Sequence, residues 1–371
     1  MVRIGVLVNP IAGFGGMHAL HGTDALDPRR YDEAVDAGHA TRRLVRALVR
    51  FTAVGGEASL TAAPGVLGAA AVAAASLPHT VVSGLDPASP TTRLDTLVAA
   101  RRLVEEGVDA VLFAGGDGTA TDLVEALGET VPVIGVPSGV KMHSEVFARS
   151  PEAAGRLLAD FAAGRAPVAS AEVLDVGTAG ETGVVGVLRV PRSRDALQGA
   201  KTVSRPQDAA AVGHAIAREL LRDAGPQATW IVGPGTTAGA VGEALGFPPT
   251  LRGVDVRHPD GTVELDLPEE RLHAIVTSAA DPVLVLGVVG GQGFLLGRGN
   301  QELSARVMAA IGAERVRILA TEDKVGALFP PVLLIDADAI GDGVRHPLLG
   351  YRRVHTGPQQ SSVLKVVDAA A

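Results

Sequence analysis

The stretch VDAVLFAGGDGTATDLVEALG (108–128) joins an apolar run to a helical pattern through a glycine-rich turn. The run VDAVLF predicts a buried strand, and TDLVEALG predicts a helix directly after it. The same order of strand and helix recurs from RIGVLVN (3–9) to a serine-capped helical segment at 150–164. This alternation predicts a parallel sheet wrapped by helices, the doubly wound α/β class.

The pattern of predicted strands and helices changes near residue 165. Residues 170–192 have the pattern of strands joined by glycine turns, and alternation of helices and strands then returns. A chain of 371 residues is longer than a single hydrophobic core usually accommodates, so two domains are expected. We predict an α/β nucleotide-binding domain at 1–165, a mixed β-rich domain at 166–345, and a tail at 346–371 that could return to the first domain.

Composition argues against several classes of protein. The net charge is −8 and aromatic residues make up only 3%, so a basic face or a stacking platform for nucleic acid is not expected. Cysteine is absent, which excludes disulfides and thiolate nucleophiles and fits a reducing compartment. The longest uncharged span, 61–85, is interrupted by prolines and glycines. We therefore expect a cytoplasmic protein that binds small molecules and neither nucleic acid nor membranes.

Asp117 is the single acid in the glycine-rich turn. Gly115, Gly116 and Gly118 remove side chains around it, so backbone amides and the start of the next helix could approach a phosphate. A carboxylate there would repel the phosphate unless it accepts a proton from an attacking hydroxyl or faces a Mg²⁺ ion. The structural alternative is a tight turn in which Asp117 caps the helix.

Two further glycine loops follow predicted strands. VNPIAGFGG (8–16) is a weak signal that an ordinary turn would also explain. GPGTTAGAVGEALG (233–246) fits G-x-G-x-x-A, and Asp255 lies where a ribose-binding acid is expected in a dinucleotide site. The second loop therefore indicates either a dehydrogenase or a packed helix with a threonine N-cap.

A fourth glycine-dense loop, GGQGFLLGRGNQELS (290–304), carries Arg298 and Asn300. A guanidinium in such a loop could pair with both oxygens of a phosphate, although a glycine-kinked hairpin with an exposed arginine explains it equally well. The chain has only two asparagines, Asn9 and Asn300, and both fall in glycine loops.

The string GGDGT (115–119) resembles the signature of the superfamily that joins NAD kinases with diacylglycerol and sphingosine kinases. Further strings, including LVNPIAGFGG, GVPSGVKMHSEVFA, VGPGTTA and GGQGFLLGRGNQELS, follow in the order seen in ATP-NAD kinases and acetoin-catabolism X proteins. The resemblance implies an N-terminal nucleotide domain and a C-terminal domain closing over a cleft. It also implies phosphoryl transfer from ATP with Mg²⁺ to NAD, giving NADP, and a homo-oligomer.

The resemblance also assigns residues. Asp117 would take the proton from the adenosine-ribose 2′-hydroxyl of NAD, and Thr236 with Thr237 would match a serine–threonine pair of the kinases. The full predicted nucleotide-binding set is Asn9, Gly13, Gly115, Gly116, Gly118, Thr119, Ser138, Gly139, Lys141, Gly235, Thr236, Thr237, Asp255, Arg298 and Asn300.

Some positions depart from the NAD kinase pattern. The string GVPSG places Pro137 where those kinases have an asparagine that contacts the dinucleotide, and their mid-chain Asn-Glu pair has no counterpart. VNPIAGFGG and VPSG are closer to the lipid-kinase loops. The alternatives are thus a kinase for another small alcohol or a lipid, a dehydrogenase, or a nucleotide-binding accessory protein without turnover.

Overall fold

The computed structural model describes the chain except for residues 21, 22, 24, 25, 88, 140, 141, 177–181, 194–205, 224, 226, 290, 291, 337–346, 358 and 371. The chain divides into two compact units. The first holds the elements up to residue 191, apart from a short segment after Gly15. The second holds the elements from residue 206 onward.

The first unit is built on a parallel sheet. Its strands are β1 (Arg3–Val8), β2 (Ser59–Ala62), β3 (His79–Val81), β4 (Ala110–Gly115) and β5 (Val133–Pro137). They lie in the order β3-β2-β1-β4-β5, and all neighbours are parallel. The chain therefore winds outward from β1 on one side and from β4 on the other. The carboxyl ends of β1 and β4 form the switch point at which open α/β sheets bind ligands.

Helices cover both faces of this sheet, as the alternating strands and helices predict. They are α1 (Tyr31–Ala37), α2 (His39–Ala53), α3 (Ala69–Ala74), α4 (Arg93–Glu105), α5 (Asp117–Leu127) and α6 (Pro151–Ala162). Leu112 of β4 packs in the core with α2 and α6, whereas Phe113 packs on the opposite face with α4 and α5. Both faces of β4 are thus buried, which accounts for its continuous apolar sequence.

The first unit extends past the predicted boundary near 165. Strands β6 (Val168–Val176) and β7 (Thr182–Pro191) form an antiparallel two-stranded sheet. Val173 and Leu188 of this hairpin share one buried cluster with Phe113 and Leu123. Because these side chains complete the core that covers one face of α5, the hairpin belongs to the first unit. The first unit therefore extends beyond the predicted boundary at 165 and includes β7.

The second unit contains helices and a mixed sheet. Its helices are α7 (Pro206–Asp223), α8 (Thr236–Ala244), α9 (Glu269–Ser278), α10 (Ala305–Ile311) and α11 (Glu322–Gly326). Its strands are β8 (Ala228–Val232), β9 (Asp255–Arg257), β10 (Val263–Glu264), β11 (Asp281–Gly287), β12 (Phe294–Leu296), β13 (Val316–Leu319), β14 (Val332–Ile335), β15 (Gly350–Gly357) and β16 (Gln360–Asp368). The mixed character predicted for this half of the chain is confirmed.

The last two strands occupy the middle of this nine-stranded sheet, whose order is β10-β9-β8-β11-β13-β15-β16-β14-β12. β15 pairs with β13 and β16 pairs with β14, while β15 and β16 pair with each other as a hairpin. The two strands of the predicted tail at 346–371 therefore belong to the sheet of the second unit. Within the described residues, no helix is both long enough and apolar enough to cross a membrane.

Candidate active site

Three loops meet at the carboxyl ends of β1, β4 and β5. The Asn9 backbone N–H donates to the Ala114 carbonyl at 2.9 Å, and Asn9 Nδ2 donates to Thr119 Oγ1 at 3.1 Å. The N–H groups of Ser138 and Gly139 both donate to the Gly115 carbonyl, at 2.9 and 3.1 Å. The structure thus brings the predicted loops 8–16, 113–119 and 136–139 together at the switch point of the sheet.

Glycines allow this close approach. A Cβ at Gly116 would lie 3.1 Å from the Gly139 Cα, and a Cβ at Gly13, where φ is +85°, would strike the Ser138 carbonyl. A Cβ at Gly115 would lie 2.5 Å from the Thr119 side chain. Gly118 differs from these, because no described atom lies within 4 Å of its Cβ position. Gly13, Gly115 and Gly116 are therefore needed for packing, whereas Gly118 leaves the first turn of α5 open.

Asp117 is the first residue of α5, and Gly116 is the N-cap. Its Oδ2 accepts the His143 N–H at 2.6 Å, and its Oδ1 accepts the Ser144 N–H at 3.1 Å and the Ser144 hydroxyl at 2.6 Å. The alternative in which Asp117 caps α5 is therefore wrong. The carboxylate instead holds the loop that follows β5, and 9% of the residue remains exposed.

Hydrogen-bond donors face the Asp117 carboxylate. Three hydrogen bonds donated to one carboxylate suit its ionised form. The N–H groups in the first turn of a helix have no partner within the helix, and Gly116 supplies no side chain to cap those of α5. Amides and a carboxylate thus lie side by side. An anion could bind the amides while a hydroxyl is placed against the acid.

A second polar cluster lies in the second unit at the carboxyl end of β8. Gly235, with φ +101°, precedes α8, and Thr236 and Thr237 are the first residues of that helix. Thr237 is 1% exposed, and its Oγ1 accepts a hydrogen bond from Lys324 Nζ at 3.0 Å. A lysine ammonium therefore lies at the first turn of α8, close to one of the two predicted threonines.

The strand topology does not fit the dinucleotide-binding fingerprint that the sequence of this loop suggested. β9 runs antiparallel to β8, so the two do not form the parallel βαβ unit that the fingerprint requires. Asp255 is fully buried, and it accepts hydrogen bonds from the Thr250 N–H and hydroxyl and from the Asp266 N–H. Burial raises the pKa of Asp255, against these donors. Asp255 thus holds the 250–266 loop and leaves no surface for a ribose.

Arg298 and Asn300 lie inside the second unit and are engaged there. Arg298 is 7% exposed, stacks over the Phe294 ring at 4.5 Å, and has its Nε 3.9 Å from Asp336 Oδ2. Asn300 Oδ1 accepts the Gly297 N–H at 3.0 Å, and its Nδ2 donates to the Leu295 carbonyl at 2.9 Å. The exposed-arginine alternative is therefore wrong, and Asn300 stabilises the turn after β12.

Two family models match the chain. The model of the ATP-NAD kinase N-terminal domain matches residues 4–166, and the model of the ATP-NAD kinase C-terminal domain matches residues 259–362. This chain belongs to the ATP-NAD kinase family. No curated protein and no solved structure matches it.

Membership in the ATP-NAD kinase family makes the protein a phosphotransferase of the kinase type. The first family model spans all three loops that meet at Asp117, and the second spans Lys324 but not the Thr236–Thr237 pair. Of the residues predicted from the sequence, those of the first unit are brought together around Asp117. Lys141 lies outside the described residues.

Sequence reasoning missed Ser144, the His143 amide and Lys324. The signal for Lys324 was available, because it is one of only four lysines in the chain. Ser144 carried no pattern of its own. Among the described residues no group of three His, Cys, Asp or Glu side chains could hold a metal ion. Mg²⁺ commonly takes several of its oxygen ligands from substrate phosphates and water.

Proposed function

We propose that the protein transfers the γ-phosphoryl group of ATP to the 2′-hydroxyl of NAD, giving NADP. The observation that carries this proposal is the place of Asp117. Its carboxylate lies at the first turn of α5, directly after β4, and accepts hydrogen bonds from the loop after β5 in a glycine-rich surrounding. The family assignment supports kinase chemistry, and this geometry supports Asp117 as its acid–base group.

The bound phosphates would lie against the open turn of α5. Gly118 leaves space there, and the α5 amides supply donors to phosphate oxygens. Thr119 is held by Asn9 at 3.1 Å, which fixes this turn to the loop after β1. Magnesium, where it is bound with ATP, would neutralise charge on the phosphate oxygens.

Asp117 would receive the acceptor hydroxyl. The hydroxyl oxygen forms a bond to the γ-phosphorus, the bond from that phosphorus to the β,γ-bridging oxygen breaks, and ADP leaves with the electron pair. The hydroxyl proton passes to Asp117. Because phosphoryl transfer is largely dissociative, an ionised carboxylate that orients the hydroxyl and takes the proton late suffices. The three donors that face Asp117 suit its ionised form.

A second candidate acceptor is another small alcohol or a lipid. The observation that favours it is Pro137, which ends β5 beside Gly115 and has no side-chain donor or acceptor with which to contact a dinucleotide. An NAD kinase pattern with asparagine at this place would offer both. The chemistry at Asp117 is the same for either acceptor.

The test is incubation of the protein with ATP, Mg²⁺ and NAD, with NADP measured by mass spectrometry. We expect NADP to form, and Asp117→Asn to lower kcat by about 10²–10⁴, the contribution usual for a positioned base. If no NADP forms and a different alcohol from a metabolite panel is phosphorylated, that alcohol and not NAD is the acceptor. No phosphorylated product from any acceptor would overturn the kinase proposal.

Asp122→Asn is the matched control. Asp122 lies on the same helix, is also 9% exposed, and pairs with Arg93 Nε at 2.6 Å rather than with the loop after β5. We expect this variant to keep kcat within about threefold of wild type, since it removes a carboxylate that faces α4. If kcat fell equally in Asp117→Asn and Asp122→Asn, the loss in Asp117→Asn would be due to folding and not to a lost acid–base group.

A further inference from the structure

Ser144 donates two hydrogen bonds to the Asp117 carboxylate. It is 1% exposed and lies in the loop after β5. The sequence alone assigned no role to it. Its hydroxyl is 2.6 Å and its backbone N–H is 3.1 Å from the same oxygen, Asp117 Oδ1. One residue therefore supplies two of the three donors described for the acid.

The direction of the Ser144 hydroxyl is fixed by its other contacts. The Leu174 N–H donates to Ser144 Oγ at 3.0 Å, and the Leu174 carbonyl lies 3.2 Å from the same atom. A hydroxyl has only one proton to donate. The shorter bond to a charged acceptor is the stronger one, so the proton lies on the Asp117 side.

The hairpin of β6 and β7 places Leu174 for this contact. The register between the two strands shifts after Val173, which pairs with Gly186, whereas Leu174 pairs with Val184. At this irregularity the Leu174 N–H is directed to Ser144 Oγ. Such bulges re-aim groups next to functional sites. The hairpin thus reaches the acid of α5 through a single buried hydroxyl.

We propose that Ser144 is a positioning residue of the phosphoryl transfer, orienting the Asp117 carboxylate toward the acceptor hydroxyl and keeping it ionised. This inference rests on the proposed function. A serine hydroxyl bonded to Oδ1, with the His143 amide on Oδ2, fixes the plane of the carboxylate. Fixing that plane selects which lone pair meets the acceptor.

Other charged groups near Asp117 do not depend on the Ser144 hydroxyl. On α5, Asp122 and Glu125 pair with Arg93. In the loop after β5, the His143 ring is half-buried, and Glu145 Oε2 lies 3.6 Å from Arg192 Nη2. Glu172 of β6 is exposed. The described contacts of Ser144 Oγ are with Asp117 and Leu174 and with none of these groups, so we expect a change in pH dependence on replacing Ser144 to report on Asp117.

The experiment compares wild type, Ser144→Ala, Ser144→Thr and Ser150→Ala. Ser150 is the matched control, because it is also buried but its hydroxyl caps α6 by accepting the Ala153 N–H at 3.1 Å. For Ser144→Ala we expect kcat/KM to fall about 10- to 100-fold, with the acid limb of its pH profile moved to higher pH. Ser144→Thr restores the hydroxyl and should recover the wild-type profile.

A second readout needs no turnover. Protein labelled with ¹³C at the aspartate carboxyl carbons, with Asp117→Asn for assignment, gives the titration of Asp117 directly. We expect the Asp117 resonance to titrate at higher pH in Ser144→Ala than in wild type, and to be unchanged in Ser150→Ala. An unchanged titration, or a pH-independent loss equal to that in Ser150→Ala, overturns the inference. If wild type phosphorylates nothing, the proposed function fails, and the titration still decides whether Ser144 governs the acid.

Discussion

Asn9 and Thr119 join the loop after β1 to the first turn of α5 through a hydrogen bond of 3.1 Å between Nδ2 and Oγ1. Asn9 Oδ1 also accepts the Ile11 N–H at 3.3 Å, so the amide serves both sides of the switch point. The side chain must therefore donate and accept at once. Aspartate, which has the same shape, only accepts when ionised.

Replacement of Asn9 by aspartate should weaken ATP binding. The variant loses the donor to Thr119 and adds a negative charge beside the turn to which phosphates would bind. We expect the KM for ATP to rise about tenfold or more, measured by steady-state kinetics with the acceptor held at saturation.

The only other asparagine gives the contrast. Asn300→Asp loses the donor to the Leu295 carbonyl inside the second unit. We expect a free energy of unfolding lower by about 1–3 kcal/mol, measured by urea denaturation, with the KM for ATP within about twofold of wild type. A larger effect of Asn300→Asp on ATP binding than on stability would contradict the structural role given to Asn300.

Gly118 and Gly116 should respond oppositely to an added methyl group. At Gly118 the methyl meets no described atom within 4 Å, and alanine favours a helix by about 0.5–1 kcal/mol over glycine. Gly118→Ala should therefore be as stable as wild type, yet bind ATP at least tenfold more weakly, because the methyl occupies the approach to the α5 amides. Isothermal titration calorimetry measures the binding.

At Gly116 the methyl would lie 3.1 Å from the Gly139 Cα, so loops after β4 and β5 would have to separate. Gly116→Ala should lower the midpoint of thermal unfolding, with a cost of about 1–3 kcal/mol. If Gly118→Ala bound ATP as wild type does, the phosphates would not lie on the open turn.

Lys324 should matter for nucleotide binding through its charge. Its Nζ donates to Thr237 Oγ1 at 3.0 Å, at the first turn of α8. Lys324→Met keeps the length of the side chain and removes the ammonium. We expect the KM for ATP or NAD to rise about tenfold, with a smaller change for Lys324→Arg. Lys365→Met is the control, because Lys365 is exposed on β16. Equal kinetics in the two methionine variants would remove Lys324 from nucleotide binding.

Glu269 should make the second unit acid-sensitive. It is 3% exposed, and its hydrogen bond from Arg306 lowers its pKa below the ordinary value of 4.5. The ionised form then stabilises the fold above pH 4.5, and this stabilisation is lost as the pH falls through the lowered pKa. Glu269→Gln should be about 1–3 kcal/mol less stable than wild type at pH 7, with the gap narrowing below pH 4.5.

Glu270→Gln is the matched control for that measurement. Glu270 is the next residue of α9 and is exposed. Its replacement should leave the free energy of unfolding within about 0.5 kcal/mol of wild type across the same pH range. If the difference in free energy of unfolding between Glu269→Gln and wild type stays constant with pH, the substitution destabilises the protein through packing and not through the lost charge.

The parallel sheet and its caps could be predicted because their signals are local. A buried strand shows itself as a continuous apolar run, as in β4, and an N-cap such as Ser150 acts on a residue three positions away. The places of the glycine loops at 8–16 and 113–119, each directly after a strand, followed from the same local signals.

What could not be predicted depends on contacts between distant parts of the chain. The bond from the His143 N–H to Asp117 spans 26 positions, and that from Lys324 to Thr237 spans 87. The β6–β7 hairpin joined the first unit because its apolar face completes the core under α5, a fact that no local pattern carries. Asp255 had the right spacing for a ribose site, but spacing does not fix strand direction, and β9 runs antiparallel to β8.

The hairpin of β15 and β16 has a consequence for how the chain reaches its native state. These strands follow β13 and β14 in the chain, yet they stand between them in the sheet. Until residues 350–368 have been synthesised, one half of the sheet ends at β13, and β14 with β12 has nothing to join. Until then the sheet has open strand edges at β13 and β14, and such edges can pair with other chains.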